Sequence, residues 1–249
     1  MEIDLSNRGS PSQVTMQDFI AAPALHLETG NISALKLSKF YKDRGNLNWS
    51  FLLHLYDTTL AKVNPETTKV FSPELQSRII AECKRNPWYF FREWCRIPVP
   101  GGSVRFEFNR GNVAQLWCCL NSVNFIEMLP RQQGKTQGVI AAINYLEIFV
   151  LSNAEITFSN KLLNDSRLNV SRFKNQRELL PAWMRKYDPK KDVNNVDKLF
   201  MSVGKNTIKT LSTAKSVNDA ERLGRGLTTP IVWFDESKKQ APLIGSTKT

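Results

Sequence analysis

Val123-Asn124-Phe125-Ile126-Glu127-Met128-Leu129-Pro130-Arg131-Gln132-Gln133-Gly134-Lys135-Thr136 is the stretch that decides the fold. An apolar, strand-like run enters a polar turn that ends in Gly-Lys-Thr. A helix-like apolar segment, Val139 to Leu146, follows. Strand, loop and helix in that order are the context in which Gly-Lys-Thr reads as a phosphate-binding loop. Backbone N–H groups around Gln132, Gln133 and Gly134, together with the positive end of the next helix, can hold phosphate oxygens. Lys135 would add a point charge at the β- and γ-phosphates, Thr136 would offer a hydroxyl to Mg²⁺, and Gln137 would complete the first turn. Leu129 stands where such loops usually begin with glycine. A bare Gly-Lys-Thr also starts helices that merely expose a lysine, so a second motif is needed.

Pro230-Ile231-Val232-Trp233-Phe234-Asp235-Glu236 supplies it. Buried parallel strands read as continuous apolar runs, and ligands gather at their carboxyl ends. Asp235 would lie at the mouth of the sheet near a Mg²⁺ held by Thr136. Glu236 would point to the other side of the strand end and polarise the attacking water. The span between Lys135 and Asp235 accommodates two or three strand–helix units. Taken together, the motifs predict ATP binding in an α/β fold with a mainly parallel sheet flanked by helices.

Bulk properties fit a nucleic-acid partner. The chain has 249 residues and 41% hydrophobic residues, enough for one large domain or two small ones. Its formal net charge is +11, which suits a polyanionic partner, with nucleic acid the first candidate. Cys83, Cys95, Cys118 and Cys119 lack zinc-type spacing and read as free thiols. No apolar run reaches transmembrane length, and no membrane partner is expected.

Along the chain, Met1 to about Ala34 reads as a polar leader and Leu35–Ala61 as helices broken near Gly45. The region 1–70 is therefore expected to be a leader with a helical part, and 71–249 the nucleotide-binding domain. Ser72-Pro73 marks a helix start. Pro87–Cys95 reads as a core-facing aromatic helix rather than a base-stacking surface. Val104–Phe108 and Glu155–Asn160 are expected strands. Asn112–Leu120 and Lys161–Leu180 are expected helices, and Leu199–Val203 with Thr207–Leu211 an expected hairpin. Pro181–Asn195 is a basic insertion carrying Arg185, Lys186, Lys190 and Lys191.

Three features together resemble the large terminase subunit of tailed bacteriophages, the ATPase that drives DNA into a capsid. The first is the loop Pro130-Arg131-Gln132-Gln133-Gly134-Lys135-Thr136 without its leading glycine. The second is Ala220-Glu221-Arg222-Leu223-Gly224-Arg225-Gly226 ahead of the Asp235-Glu236 strand. The third is Phe106 to Trp117, with Gln115, where that family carries its adenine-recognition motif. The resemblance covers about residues 70 to 240. It implies a P-loop NTPase fold of the ASCE type, with Lys135 and Thr136 at phosphate and Mg²⁺. It further implies Asp235 as metal-side carboxylate, Glu236 as the catalytic one, Arg131 at the γ-phosphate and Gln115 at adenine. It also implies a homo-oligomeric ring on double-stranded DNA in the host cell cytoplasm, working with a portal protein and a small terminase subunit. Only Ser237–Thr249 follows Glu236, short of the coupling motif and nuclease domain of that family, so the chain is expected to be a fragment, a truncated form, or one product of a split gene whose nuclease is a separate C-terminal piece. Two other classes remain open. One is a two-lobed helicase, against which Asp235-Glu236-Ser237-Lys238 lacks the usual Asp-Glu-x-His or Asp-Glu-x-Asp. The other is an inactive fragment that binds nucleotide without turning it over.

Overall fold

The computed structural model describes residues 25–128, 134–160, 162–186, 188–212 and 229–235. The chain divides into two compact units. One runs to Glu93 and includes Glu107–Arg110; the other comprises Trp94–Phe106 and the chain from Gly111 onward.

The first unit is helical. Helix α1, Ile32–Asp43, begins where the Asn31 side chain accepts a hydrogen bond from the Ala34 N–H, and Gly45 follows its end at φ +70°. The helix expected beyond Gly45 is absent. Turns occupy 46–57, and a 3-10 turn, Thr58–Lys62, follows. Local side chains explain this. Asn46 Oδ1 accepts from the Asn48 N–H and Asp57 Oδ1 from the Thr59 N–H, so the backbone finds partners outside a helix. Helix α2, Pro73–Arg85, starts as the sequence predicts, with Ser72 Oγ accepting from the Leu75 N–H at 3.2 Å. Helix α3, Pro87–Tyr89, continues into a π-helical turn, Phe90–Trp94. Tyr89, Phe90 and Phe91 are buried, as a core-facing aromatic segment requires.

The second unit holds the sheet. Strands β1, Arg96–Val99, and β2, Gly102–Arg105, form a separate antiparallel hairpin, turned at Gly101 with φ +81°. Helix α4 spans Arg110–Leu120. Residues 123–128, expected as a strand, are not one. No ladder partner pairs with them among the described residues, and Ile126 and Met128 are 77% and 89% exposed. Strand-like composition without a neighbour does not make a strand. Then come α5, Lys135–Phe149; β3, Glu155–Asn160; α6, Leu163–Glu178; β4, Val193–Asn194; β5, Lys198–Met201; β6, Asn206–Ser212; and β7, Ile231–Phe234. The sheet order is β4-β5-β6-β3-β7. It is mixed rather than mainly parallel: β3 pairs in parallel with β6 and β7, while β4–β5 and β5–β6 are antiparallel. Tight turns enforce antiparallel neighbours, and long crossovers permit parallel ones.

Helices α5 and α6 cover one face of this sheet. Ile140 and Ile143 of α5 and Val170 and Phe173 of α6 pack on Ile156 and Phe158 of β3, with Ile208 of β6 and Ile231 and Trp233 of β7. Each fully buried side chain of this size contributes about 1.5–3 kcal/mol. Asn206, fully buried at the start of β6, donates to the carbonyls of Glu147 and Leu151 and accepts from the Ala154 N–H. That ties the carboxyl end of α5 to the end of the sheet where β3 and β6 begin. Ser166, in the first turn of α6, donates to Leu211 O at the far end of β6. Both helices therefore run antiparallel to β3, and both start at its carboxyl end.

Candidate functional site

Gly134 occupies the cap position of α5 in the left-handed region, φ +76°, and supplies no side-chain cap to the helix. Glycine adopts that conformation without strain. The first helical bond runs from the Gly138 N–H to Gly134 O. Three early N–H groups thus precede the helical ladder, which is the arrangement that suits an anion. Lys135, Thr136 and Gln137 are half-buried in this first turn. With 15 residues α5 is about 22 Å long; six-residue β3 is about 20 Å. Because α5 runs antiparallel to β3, Lys135 lies at the carboxyl end of the strands.

Asp235 lies at that same end. Its N–H donates to Ser159 O at 3.1 Å, extending the β7 ladder by one residue. Strand alternation sets its side: Ile156 pairs with Ile231 and Phe158 with Trp233, and these residues face α5 and α6. Asp235, two residues beyond Trp233, belongs to the same face. Asn169 of α6 confirms this by donating from Nδ2 to Asp235 Oδ2 at 3.0 Å. So the lysine-bearing helix start and the Asp235 carboxylate share one end and one face of the sheet.

Gln115 has a different setting from a base-reading residue on a surface. It is 2% exposed, and its Nε2 donates to Lys135 O at 3.0 Å and to Glu127 Oε2. Its Oε1 is buried and makes no hydrogen bond. The side chain lies against Gly138, where an added Cβ would stand 1.8 Å from Oε1. Gln115 therefore locks α4 onto the first turn of α5. Burial raises the Glu127 pKa, opposed by the Gln115 hydrogen bond and the Lys135 charge. Arg131, Gln132, Gln133, Glu236 and the Ala220–Gly226 loop lie outside the described residues.

Among the described residues no group of three or more His, Cys, Asp or Glu side chains could hold a metal ion. Magnesium needs no such cage. It takes hard oxygens and is commonly held through one or two carboxylates plus substrate phosphates. Asp235 and the Thr136 hydroxyl are donors of that kind. None of the four cysteines forms a disulfide. Burial pushes Cys83 and Cys95 up and Cys119 up to about 12, so none of these three is a ready thiolate.

A cleft of about 180 Å³ sits elsewhere, between the C-terminal half of α6, Asp192–Asn194 and β5. Two of its cations are engaged: Lys174 donates to Asn195 O, and Arg177 donates to Arg185 O and forms an ion pair with Glu147 at 3.3 Å. The uncapped helix start and Asp235 carry the better-defined chemistry.

Two residues at the site carry no local sequence signal. Asn169 and Arg172 sit in a largely polar helix. Placing Val170 and Phe173 on the core stripe would have put Asn169 beside them.

The fold and site define a mixed α/β unit whose covering helices begin at the carboxyl ends of its parallel strands. No protein-family model matches the chain, and no curated protein matches it. Among the described residues no helix is long and apolar enough to cross a membrane.

Proposed function

We propose that this chain is the ATP-binding and ATP-hydrolysing portion of a motor that moves double-stranded DNA, of the large-terminase kind. One observation carries the reading: the uncapped Gly134-Lys135-Thr136 helix start and Asp235 share one end and one face of a sheet. An anion-binding helix start beside a single carboxylate suits a magnesium–triphosphate complex.

In this reading the first turn of α5 binds phosphate oxygens through its N–H groups, and Lys135 adds its charge at the β- and γ-phosphates. Thr136 and Asp235 hold magnesium, which neutralises charge on the transferring phosphoryl group. Glu236 orients the attacking water, and Arg131 stabilises the γ-phosphate; such an arginine is worth roughly 10³–10⁵ in rate. Gln132, Gln133 and Gln137 complete the loop. Adenine contact remains the proposed role of Gln115. The proposed partners are a ring of copies on DNA, a portal protein, a small terminase subunit and a nuclease piece.

The test uses the purified full chain with Mg-ATP, with and without duplex DNA. Lys135→Ala is expected to abolish nucleotide binding, and Glu236→Gln to bind ATP without turning it over. A Lys135→Ala protein that binds ATP as tightly as the parent removes the site. Unchanged turnover in Glu236→Gln removes that residue's role. Separation of duplex strands during turnover would move the protein to the helicases, and nucleotide binding without turnover would make it an inactive relative.

A further inference from the structure

Asp235 directly follows β7, a four-residue strand at the edge of the sheet among the described residues. Among the described strands β7 pairs only with β3, so the ladder fixes the backbone on one side. The carboxylate itself is reached from α6. Asn169 Nδ2 donates to Asp235 Oδ2 at 3.0 Å, and Asn169 Oδ1 accepts from Arg172 Nη1 at 2.8 Å. Asn169 is 1% exposed, and each end of its amide faces a partner that accepts only one orientation. A carboxylate takes the donor end and a guanidinium takes the acceptor end. Arg172, one turn further along α6, therefore sets the amide, and the amide sets the carboxylate.

We propose that Asn169 is a positioning residue for Asp235, with Arg172 acting through it. Resting on the magnesium–nucleotide reading above, the relay holds the Asp235 carboxylate in one orientation for the metal complex. Partners that orient a metal-binding carboxylate typically change metal affinity by about 10–100-fold when removed.

The relay is tested by titrating Mg²⁺ against a fluorescent ATP analogue bound to the full chain, with a parallel measurement in EDTA. The parent protein, Asn169→Leu, Arg172→Met and the double variant are compared. Asn169→Leu is expected to raise the Mg²⁺ midpoint by about 10-fold while binding in EDTA and the melting temperature stay near the parent values. Arg172→Met should raise the midpoint less. It should add nothing to Asn169→Leu, because its effect passes through that residue.

A parent protein that binds no nucleotide, or binds it identically with and without Mg²⁺, overturns the reading of the site itself. A magnesium-dependent parent with unchanged midpoints in both single variants overturns the relay alone. So does an equal loss of binding in EDTA and in Mg²⁺, which marks a structural role. If Asn169→Leu does not fold, Arg172→Met decides: an unshifted midpoint rejects the relay.

Discussion

Glu93 is fully buried, and its neighbours decide its charge. Its Oε1 receives a hydrogen bond from Arg92 Nε at 2.7 Å and lies 3.2 Å from His26 Nδ1. Arg92, itself fully buried, also donates to Leu52 O. Burial opposes ionisation of Glu93. The hydrogen bond from His26 and the charge of Arg92 outweigh it, with further help from His26 and Thr29, and bring the pKa to about 2. A depressed folded-state value means that the carboxylate stabilises the fold above the unfolded pKa, about 4.3. That contribution fades as pH falls from there toward 2, and it is on the order of 3 kcal/mol. Glu93→Gln keeps the shape but removes the anion from a buried guanidinium, so a loss of about 3–5 kcal/mol is expected at pH 7. Urea denaturation from pH 7 to pH 3 measures both effects. The variant should start less stable and then lose less on acidification. Parallel curves would assign the acid sensitivity to other carboxylates.

Between elements, the contact of α4 with α5 turns on the absence of a side chain at Gly138. A methyl there would collide with Gln115 Oε1, and Gln115 is held by Glu127 and Lys135 O. Gly138→Ala should therefore cost about 1–3 kcal/mol through overpacking, although alanine is ordinarily the better helix former by about 1 kcal/mol. In a Gln115→Ala background the collision is gone, and the same substitution should stabilise. Thermal melts of the four proteins test this reversal of sign; a destabilising effect in both backgrounds would show that Gln115 is not the obstacle. How much could be read in advance follows the same division between local and distant partners. Ser72 and the β5–β6 hairpin belong to signals carried within a few residues. The run 123–128 has the right composition for a strand, but pairing depends on a neighbour far away in sequence. The sheet is mixed because the expected β5–β6 hairpin joins it, and nothing local in the hairpin says that it will share a sheet with β3. At the site, Lys135, Thr136 and Asp235 stand in recognisable motifs. Asn169 and Arg172 become meaningful only once α6 lies against the tip of β7.

Over the whole molecule, the formal charge of +11 would give the duplex DNA of the proposed function a sequence-independent attraction that weakens steeply with salt. The basic segment 185–191 is a candidate contributor, but its four cations are not equivalent. Lys186 sits at φ +49° and donates from Nζ to Ile148 O at 2.6 Å, so it anchors the loop to the end of α5. Lys191 lies 3.7 Å from Asp188 and is largely exposed. Lys190 is exposed and Arg185 half-buried. Neutralising all four would mix loss of charge with loss of the Lys186 anchor. Arg185→Gln, Lys190→Gln and Lys191→Gln together, with Lys186 retained, isolate the charge. Each phosphate contact contributes about 0.9 to the slope of log affinity against log salt. If this segment lies on DNA, the triple variant should lower that slope by about 2–3 while its melting temperature stays unchanged. Duplex titrations at several salt concentrations measure the slope directly. An unaltered slope would show that these three cations do not lie on DNA, and would leave Lys186 with its anchoring contact to the end of α5.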